Sequence, residues 1–82
     1  MRVIARIDKG GTEQIRVVLH EWREQVYCDI RLWYEKDNGF HPTTKGLRFS
    51  AELLPGLRAA IDAAIRTIEA GEDIGDSREV KT

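Results

Sequence analysis

The sequence has little of several residue types on which whole classes of protein depend. Its 82 residues include one cysteine and two histidines, too few for an internal disulfide or a Cys/His zinc site. No apolar run approaches the roughly 20 residues of a membrane-spanning helix, and Met1 is not followed by a charged-then-apolar signal segment. We therefore expect a cytoplasmic protein that uses no metal or other cofactor and has no membrane anchor.

Catalytic patterns are equally scarce. Gly10-Gly11 precedes a strand-like segment rather than a helix, and no lysine–serine pair follows, so a phosphate-binding loop is excluded. Cys28 falls on the apolar side of another such segment. A buried, inert thiol is expected there, rather than a nucleophile activated by His20 or His41. We predict that the protein is not an enzyme.

Aromatic and basic residues are concentrated in one part of the chain. All six aromatic residues lie within residues 22–49, and residues 1–49 carry nine Lys/Arg against seven Asp/Glu. Residues 71–82 carry four acidic and two basic residues. Exposed rings beside cations suit stacking on bases combined with phosphate contacts. The alternative is that the rings pack in a core or an interface.

Four strand-like segments precede a single helix. Alternation and turn signals place the strands at residues 2–7, 13–22, 26–33 and 40–49, with turns at 9–12, 23–25 and 37–39. Pro42 lacks an N–H and Gly46 invites a bulge. The fourth strand should therefore lie at an edge, or be irregular in its first half. The predicted class is α+β, a curved four-stranded antiparallel sheet followed by one C-terminal helix.

Alternation also divides the side chains of the second and third strands between faces. In the second strand, Ile15, Val17 and Leu19 oppose Arg16, Val18, His20 and Trp22. In the third strand, Val26, Cys28, Ile30 and Leu32 oppose Tyr27, Asp29, Arg31 and Trp33. Each tryptophan thus shares a face with arginine, which makes Arg16, His20 and Trp33 candidates for nucleic-acid contacts beside Trp22 and Arg31.

The helix is predicted to run from a Ser50 N-cap to about Ala70, where Gly71 stops it. Pro55 would remove a helical hydrogen bond, so either the first turn is irregular or regular helix begins at Pro55. The apolar stripe is wider than one small sheet needs: Leu57, Ile61, Ala64, Ile65 and Ile68. We predict a homodimer through this helix, a domain at 1–70 and a disordered acidic tail at 71–82.

Two segments carry a family resemblance. Residues 28–35 read Cys-Asp-Ile-Arg-Leu-Trp-Tyr-Glu, and residues 39–47 read Gly-Phe-His-Pro-Thr-Thr-Lys-Gly-Leu. An Asp-Ile-Arg strand, followed by a Pro-x-x-Lys-Gly strand and a helix, resembles the transcriptional positive cofactor 4 family. The resemblance spans about residues 14–70. It agrees with the β-β-β-β-α order obtained from the pattern.

The resemblance implies a single-stranded-DNA-binding transcription cofactor, dimeric through its helices, with DNA channels formed by two sheets. Matched position by position, it implies nucleic-acid contacts for Trp22, Arg23, Arg31, Tyr34 and Lys45, and it makes the transcription machinery an expected partner. The family's eukaryotic Ser-rich and Lys-rich extension is not seen. A small prokaryotic or viral member is therefore expected, nucleoid-associated if prokaryotic.

Departures from the family pattern lower the expected affinity for the phosphate backbone. His41 stands where lysine is usual, and Gln25 and Thr44 stand where basic residues are frequent. We keep His41 as a candidate contact. The resemblance also assigns stacking to Tyr34, whereas alternation places Trp33 on the face of Arg31, unless a bulge near the strand end intervenes.

Three functions remain open at this point. The first is binding of single-stranded DNA, including melted duplex, and the second is binding of single-stranded RNA, since stacking reads either polymer. The third is a protein–protein adaptor whose rings serve only an interface. For Arg31, an ion pair with Asp29 or Glu35 competes with a phosphate contact.

Overall fold

The computed structural model describes residues 1–75 and contains four antiparallel strands followed by one helix. The strands are β1 (Arg2–Gly10), β2 (Glu13–Trp22), β3 (Gln25–Lys36) and β4 (Gly39–Ser50), and they pair in that order across one sheet. A 3₁₀ turn (Ala51–Leu53) leads into α1 (Leu54–Glu69). The predicted fold class is confirmed. Residues 76–82, most of the predicted disordered tail, lie outside the described residues.

All three predicted turns are shorter in the structure, and in the third Gly39 belongs to β4 and pairs with Lys36. Residues 9 and 10 belong to β1, which leaves Gly11 and Thr12 as the turn. Gln25 belongs to β3 and pairs with Trp22, so Arg23 and Glu24 alone join β2 to β3. The expected turns at 9–12, 23–25 and 37–39 were wrong by these residues. Strand pairing overrode local turn chemistry, because each added pair closes another rung of backbone hydrogen bonds.

The central pair of strands is regular. β2 and β3 pair without a register shift from Glu13–Tyr34 to Trp22–Gln25, so the predicted alternation of both strands is confirmed. We call one side of the sheet the helix face; it carries Ile15, Val17, Leu19, Cys28, Ile30, Leu32, Leu47 and Phe49. We call the other the arginine face; it carries Arg6, Arg16, Val18, His20, Trp22, Tyr27, Asp29, Arg31 and Trp33.

Both outer strands are irregular. The register of β1 against β2 shifts between Val3 and Ala5 and again between Asp8 and Gly10. In β4, Gly46 pairs with Arg31 and Pro42 pairs with Trp33, so residues 43–45 stand opposite Leu32 alone. The prediction that β4 is an irregular edge strand is confirmed.

The helix begins as the sequence predicts. The Ser50 hydroxyl accepts a hydrogen bond from the backbone N–H of Glu52 at 3.3 Å, and Pro55 stands in the first turn of α1, where its missing N–H costs nothing. Gly71, at a φ of 70°, follows the helix and donates to the carbonyl of Ile68. Across residues 1–75, no helix is long and apolar enough to cross a membrane.

Candidate nucleic-acid interface

The hairpin between β2 and β3 presents an exposed tryptophan beside a cation. The side chain of Trp22 is 59% exposed, and the guanidinium carbon of Arg23 lies 5.1 Å from its ring centroid. Arg23 and Glu24 have φ angles of 53° and 65°. Neither is the glycine or asparagine that such two-residue turns favour, so the turn is strained. A large ring exposed at a strained turn is unlike the packed aromatics of a core.

The second tryptophan is packed rather than open. The guanidinium of Arg16 lies 4.5 Å from the ring centroid of Trp33 and 4.8 Å from that of Phe40. Trp33 is half-buried. Its indole Nε1 is fully buried and has no hydrogen-bond partner among residues 1–75. Burial, and then repulsion from Arg6, lowers the pKa of Arg16 from its ordinary value. Arg16 therefore covers the ring to which a base would otherwise have access.

Arg31 is engaged with protein groups. Its Nε donates to Oδ1 of Asp29 at 3.0 Å, and its two terminal nitrogens donate to Oδ2 of Asp29 and to the carbonyl of Thr43, each at 3.0 Å. Asp29 is buried, so this ion pair is held away from water. The hydrogen bond to Asp29 raises the pKa of Arg31. The expected ion pair with Asp29 is present, and the pair with Glu35 is not formed.

The irregular segment of β4 is fixed by its own hydrogen bonds. The hydroxyl of Thr43 donates to the carbonyl of Leu32 at 2.8 Å and accepts from the N–H of Lys45 at 3.1 Å. Gly46 then passes so close to β3 that a Cβ would lie 2.6 Å from the carbonyl oxygen of Ile30. Gly46 is therefore a steric requirement of the pairing between β3 and β4, and the hydrogen bond to Thr43 fixes the backbone of Lys45.

A second cluster lies at the far end of the helix face. The rings of Tyr34 and His41, which pair across β3 and β4, are 5.6 Å apart and tilted by 41°. Tyr34 is 36% exposed. Lys45 and Lys9 line a neighbouring groove of about 330 Å³ whose floor is aliphatic. Lys9 Nζ is 3.4 Å from Oε1 of Glu13, the acidic residue of that groove.

The structure thus divides the predicted nucleic-acid-binding residues into three groups. Trp22 and Arg23 form the exposed hairpin end, and His20 lies near it on the arginine face, paired with Tyr27. Arg16, Arg31 and Trp33 occupy the middle of the arginine face, whereas Tyr34, His41 and Lys45 lie on the helix-face side. Tyr34 is nine residues along β3 from the partner of Trp22, which is about 30 Å of strand.

The bulge invoked to bring Tyr34 onto the face of Arg31 does not lie in β3. Pairing with β2 continues unbroken through Trp33 and Tyr34, so Trp33 stays on the arginine face and Tyr34 on the other. The extra residues are in β4 instead. Face and exposure both distinguish the two rings: Tyr34 is exposed on the helix-face side, and Trp33 lies beneath Arg16 on the arginine face.

The predicted dimer residues lie on a helix that buries nothing. No residue of α1 is buried within the single chain, and Ile61, Ile65 and Ile68 are 51%, 46% and 70% exposed. Ala64 is exposed and Leu57 is half-buried. Leu57 adjoins an apolar cavity of about 260 Å³ between α1 and β4, where Leu47 is 67% exposed.

The remaining reactive groups are few. Cys28 is fully buried, and burial together with neighbouring Asp29 raises the pKa of its thiol. Residues 1–75 contain no cluster of three His, Cys, Asp or Glu side chains that could hold a metal ion.

Sequence reasoning missed four contributors to this surface. Arg6, Gln14, Phe40 and Thr43 each contact or flank a predicted residue, and none was selected from the pattern. Arg6 could have been found from strand pairing, since it stands directly opposite Arg16. Thr43 had no such signal, because its role depends on how many residues β4 loops out.

Comparison with known families assigns this chain to a class of protein. The family model described as Transcriptional Coactivator p15 (PC4) matches residues 9–60. This is well over half of the 82-residue chain, and the chain belongs to the PC4 family. The expected family is therefore confirmed. A comparison with curated proteins finds no match.

Solved structures agree with this assignment. The chain is similar to BPSL1147, a PC4 homologue from Burkholderia pseudomallei K96243, with 32% identity and a TM-score of 0.73. That match covers 79% of this chain and 89% of the other. A tetragonal crystal form of the same homologue gives 31% identity, a TM-score of 0.70 and coverages of 77% and 94%.

A phage protein shares the fold at lower identity. It is described as a bacteriophage T5 homologue of the eukaryotic transcription coactivator PC4 implicated in recombination-dependent DNA replication. The match has 22% identity and a TM-score of 0.59, and covers 85% of this chain and 80% of the other.

Proposed function

We propose that this protein binds single-stranded DNA as a non-enzymatic homodimer, by stacking bases on exposed rings and pairing phosphates with Arg and Lys. The observation that carries the proposal is the exposed Trp22 ring with the Arg23 guanidinium 5.1 Å from its centroid. A base has a π-face to offer such a ring only when it is unpaired, so duplex should compete poorly. Membership of the PC4 family supports the same assignment.

The two open aromatic sites serve as separate stacking platforms in this proposal. Trp22 with Arg23 is one platform, and Tyr34 with His41 and Lys45 is the other. The platforms lie on opposite faces of the sheet and are separated by about 30 Å of strand, so a single base cannot contact both. A bound strand must therefore cover several nucleotides, and oligonucleotides too short to reach both platforms should bind more weakly.

The homodimer is proposed from the unburied helix. Ile61, Ile65 and Ile68 project from α1 without a partner in the chain, and Leu47 and Leu53 are also largely exposed. Soluble monomers rarely expose a contiguous apolar patch of this kind. We propose that the same patch of a second copy covers it, since two-fold dimers, in which one surface packs against itself, are the commonest oligomers.

We infer a cellular role from the descriptions of the relatives. The matching family model is described as a transcriptional coactivator, and the phage homologue is described as implicated in recombination-dependent DNA replication. We place this protein in the cytoplasm, at the nucleoid if prokaryotic, acting on melted DNA with the transcription machinery as its expected partner.

A fluorescence-anisotropy titration tests the binding proposal. Labelled single-stranded DNA, single-stranded RNA and duplex of equal length are compared at one salt concentration. We expect the DNA strand to bind more tightly than the duplex. Tighter binding of RNA than of DNA would show that the surface is an RNA-binding site. Binding to none of the three would contradict the proposal and favour a protein–protein adaptor whose aromatic rings form an interface.

Lys45→Ala tests the phosphate contact assigned to the second platform. If Lys45 contacts one phosphate, the slope of log affinity against log salt should fall in magnitude by about 0.7 for a single strand. Lys36→Ala, an exposed lysine at the end of β3, is the control. An equal change in both variants would show only the loss of net charge.

Light scattering tests the dimer. We expect twice the chain mass for the wild type and the chain mass, or an unfolded protein, for Ile61→Asp, because a buried unpaired charge is strongly unfavourable. Ala59→Asp adds the same charge about 160° around the helix from residue 61 and should remain dimeric. A monomeric wild type at micromolar concentration would contradict the proposal.

A further inference from the structure

Three arginines stand side by side across the sheet. Arg6 of β1 pairs directly with Arg16 of β2, which pairs directly with Arg31 of β3. Adjacent strands are about 4.8 Å apart, so the row crosses three strands within about 10 Å. Like charges placed directly opposite one another destabilise a sheet. The row therefore lowers the stability of the sheet and gives no benefit to folding. It lies on the same face as Trp22.

The charges of this row are only partly neutralised. Asp29 is bound to Arg31, and no carboxylate of residues 1–75 forms an ion pair with Arg6 or Arg16. Burial, and after it repulsion from Arg6, lowers the pKa of Arg16. Asp8, the nearest acid on β1 of this face, accepts instead from the side-chain amide of Gln14 at 3.2 Å. Two adjacent guanidinium groups thus remain without a counter-charge.

The free pair is also held in place. The carbonyl oxygen of the Gln14 side chain accepts from Nε of Arg16 at 3.0 Å, and Asp8 fixes the other end of that amide. The rings of Trp33 and Phe40 flank the guanidinium. A cation restrained by neutral groups keeps its full charge for an incoming anion, and it loses little conformational entropy on binding one.

We propose that Arg6 and Arg16 bind the phosphate backbone of the nucleic acid, with Gln14 as the positioning residue that holds Arg16. The site rests on the proposed single-stranded-DNA-binding function and supplies cations that the chain lacks at Gln25, His41 and Thr44. It directs the backbone across β1 and β2 on the arginine face. Arg31 contributes less, because Asp29 already neutralises it.

The first arm of the test measures binding of a labelled oligo-dT 20-mer as a function of salt. Arg6→Gln and Arg16→Gln should each lower the magnitude of the log–log slope by about 0.7. The affinity ratio between wild type and variant then shrinks about fivefold over a tenfold rise in salt. Arg16→Lys should restore the slope, and Gln14→Ala should weaken binding with the slope nearly unchanged. Arg66→Gln, in the last turn of α1, is the matched control.

The second arm uses inorganic phosphate and no nucleic acid. At constant ionic strength, phosphate should raise the Tm of the wild type more than that of Arg6→Gln. In low salt without phosphate, Arg6→Gln should melt at or above the wild-type temperature because repulsion is relieved. A lower Tm would mean that the row stabilises the fold, and would overturn the proposal.

The two arms separate this site from the proposed function. If the wild type binds oligo-dT and both arginine variants keep its salt slope, the site is wrong and the function stands. If the wild type does not bind oligo-dT, the function is wrong. The phosphate arm then decides whether the row is an anion site.

Discussion

The molecule contains two tryptophan–arginine pairs that differ in position, packing and exposure. Trp22 and Arg23 are neighbours in sequence at a strained hairpin, 5.1 Å apart and exposed. Trp33 and Arg16 come from adjacent strands, 4.5 Å apart, with Phe40 on the same guanidinium. The first ring has room for a base, and the second is already covered. The same pair of residue types thus leaves its ring open in one place, whereas in the other the ring packs beneath Arg16, whose guanidinium we assign to the phosphate backbone.

This contrast shows why exposure matters more than residue type in assigning such sites. Cation–π contacts contribute about 0.5–1 kcal/mol when exposed and about 2 kcal/mol or more when desolvated. The Trp33–Arg16 contact should therefore act on the stability of the sheet. The Trp22–Arg23 contact costs little to break and can yield to a ligand.

The largest effect is expected for Trp33→Ala. Removing a half-buried ring leaves a void beneath Arg16, and the free energy of unfolding should fall by about 3 kcal/mol. Urea denaturation at a fixed protein concentration measures it, with Trp33→Phe as the milder control. A loss below about 0.5 kcal/mol would show that Trp33 is not a packing residue.

Trp22→Ala should give the opposite pattern. Loss of one stacked base should cost about 1–3 kcal/mol of binding free energy, much the same for different base sequences. The free energy of unfolding should change by less than about 0.5 kcal/mol, because the ring is exposed. Anisotropy titrations with two unrelated strands and a urea curve measure both. Full affinity in a folded variant would refute stacking at Trp22.

Arg23→Gln should produce a smaller change of another kind. If its guanidinium contacts one phosphate, the log–log salt slope should drop in magnitude by about 0.7, with base preference unaltered. Glu69→Gln, far away at the end of α1, tests whether any change of charge acts alike. An unchanged slope would mean that Arg23 serves only the Trp22 ring.

The smallest effect is expected for Glu24→Gly. A left-handed conformation costs a non-glycine residue about 1–2 kcal/mol. Glycine relieves that strain but adds entropy to the unfolded chain, so the net gain should be about 0.5–1 kcal/mol. Thermal unfolding measures it, with Arg2→Gly in β1 as a control expected to destabilise. No gain would mean that the turn stores no strain.

Much of the fold could be predicted because its signals are local. Asp37-Asn38-Gly39 identified the third hairpin, Ser50 and Pro55 marked the helix start, and alternation assigned the faces of β2 and β3. The second hairpin was misjudged by one residue, since neither Arg23 nor Glu24 is a residue type that favours a left-handed turn. That single residue sets the register, and so it concealed the direct pairing of Arg16 with Arg31.

The candidate site was less predictable because it depends on contacts between strands. Nothing in the local sequence indicates that Arg16 covers Trp33, or that Arg31 forms its ion pair with Asp29 rather than with Glu35. Pro42 and Gly46 indicated an irregular fourth strand, but not that residues 43–45 would stand opposite Leu32 alone or that Lys45 would line a groove with Lys9.

The irregular register of both outer strands bears on how the protein behaves when concentrated. A straight, unpaired strand edge is a template on which further chains can polymerise into fibrils. The shifts in β1 at Ile4 and Lys9, and the irregular segment with Pro42 in β4, interrupt both edges, whereas the one unbroken ladder, between β2 and β3, lies inside the sheet. The irregularities therefore oppose aggregation, and a variant in which either outer strand pairs regularly should aggregate more readily.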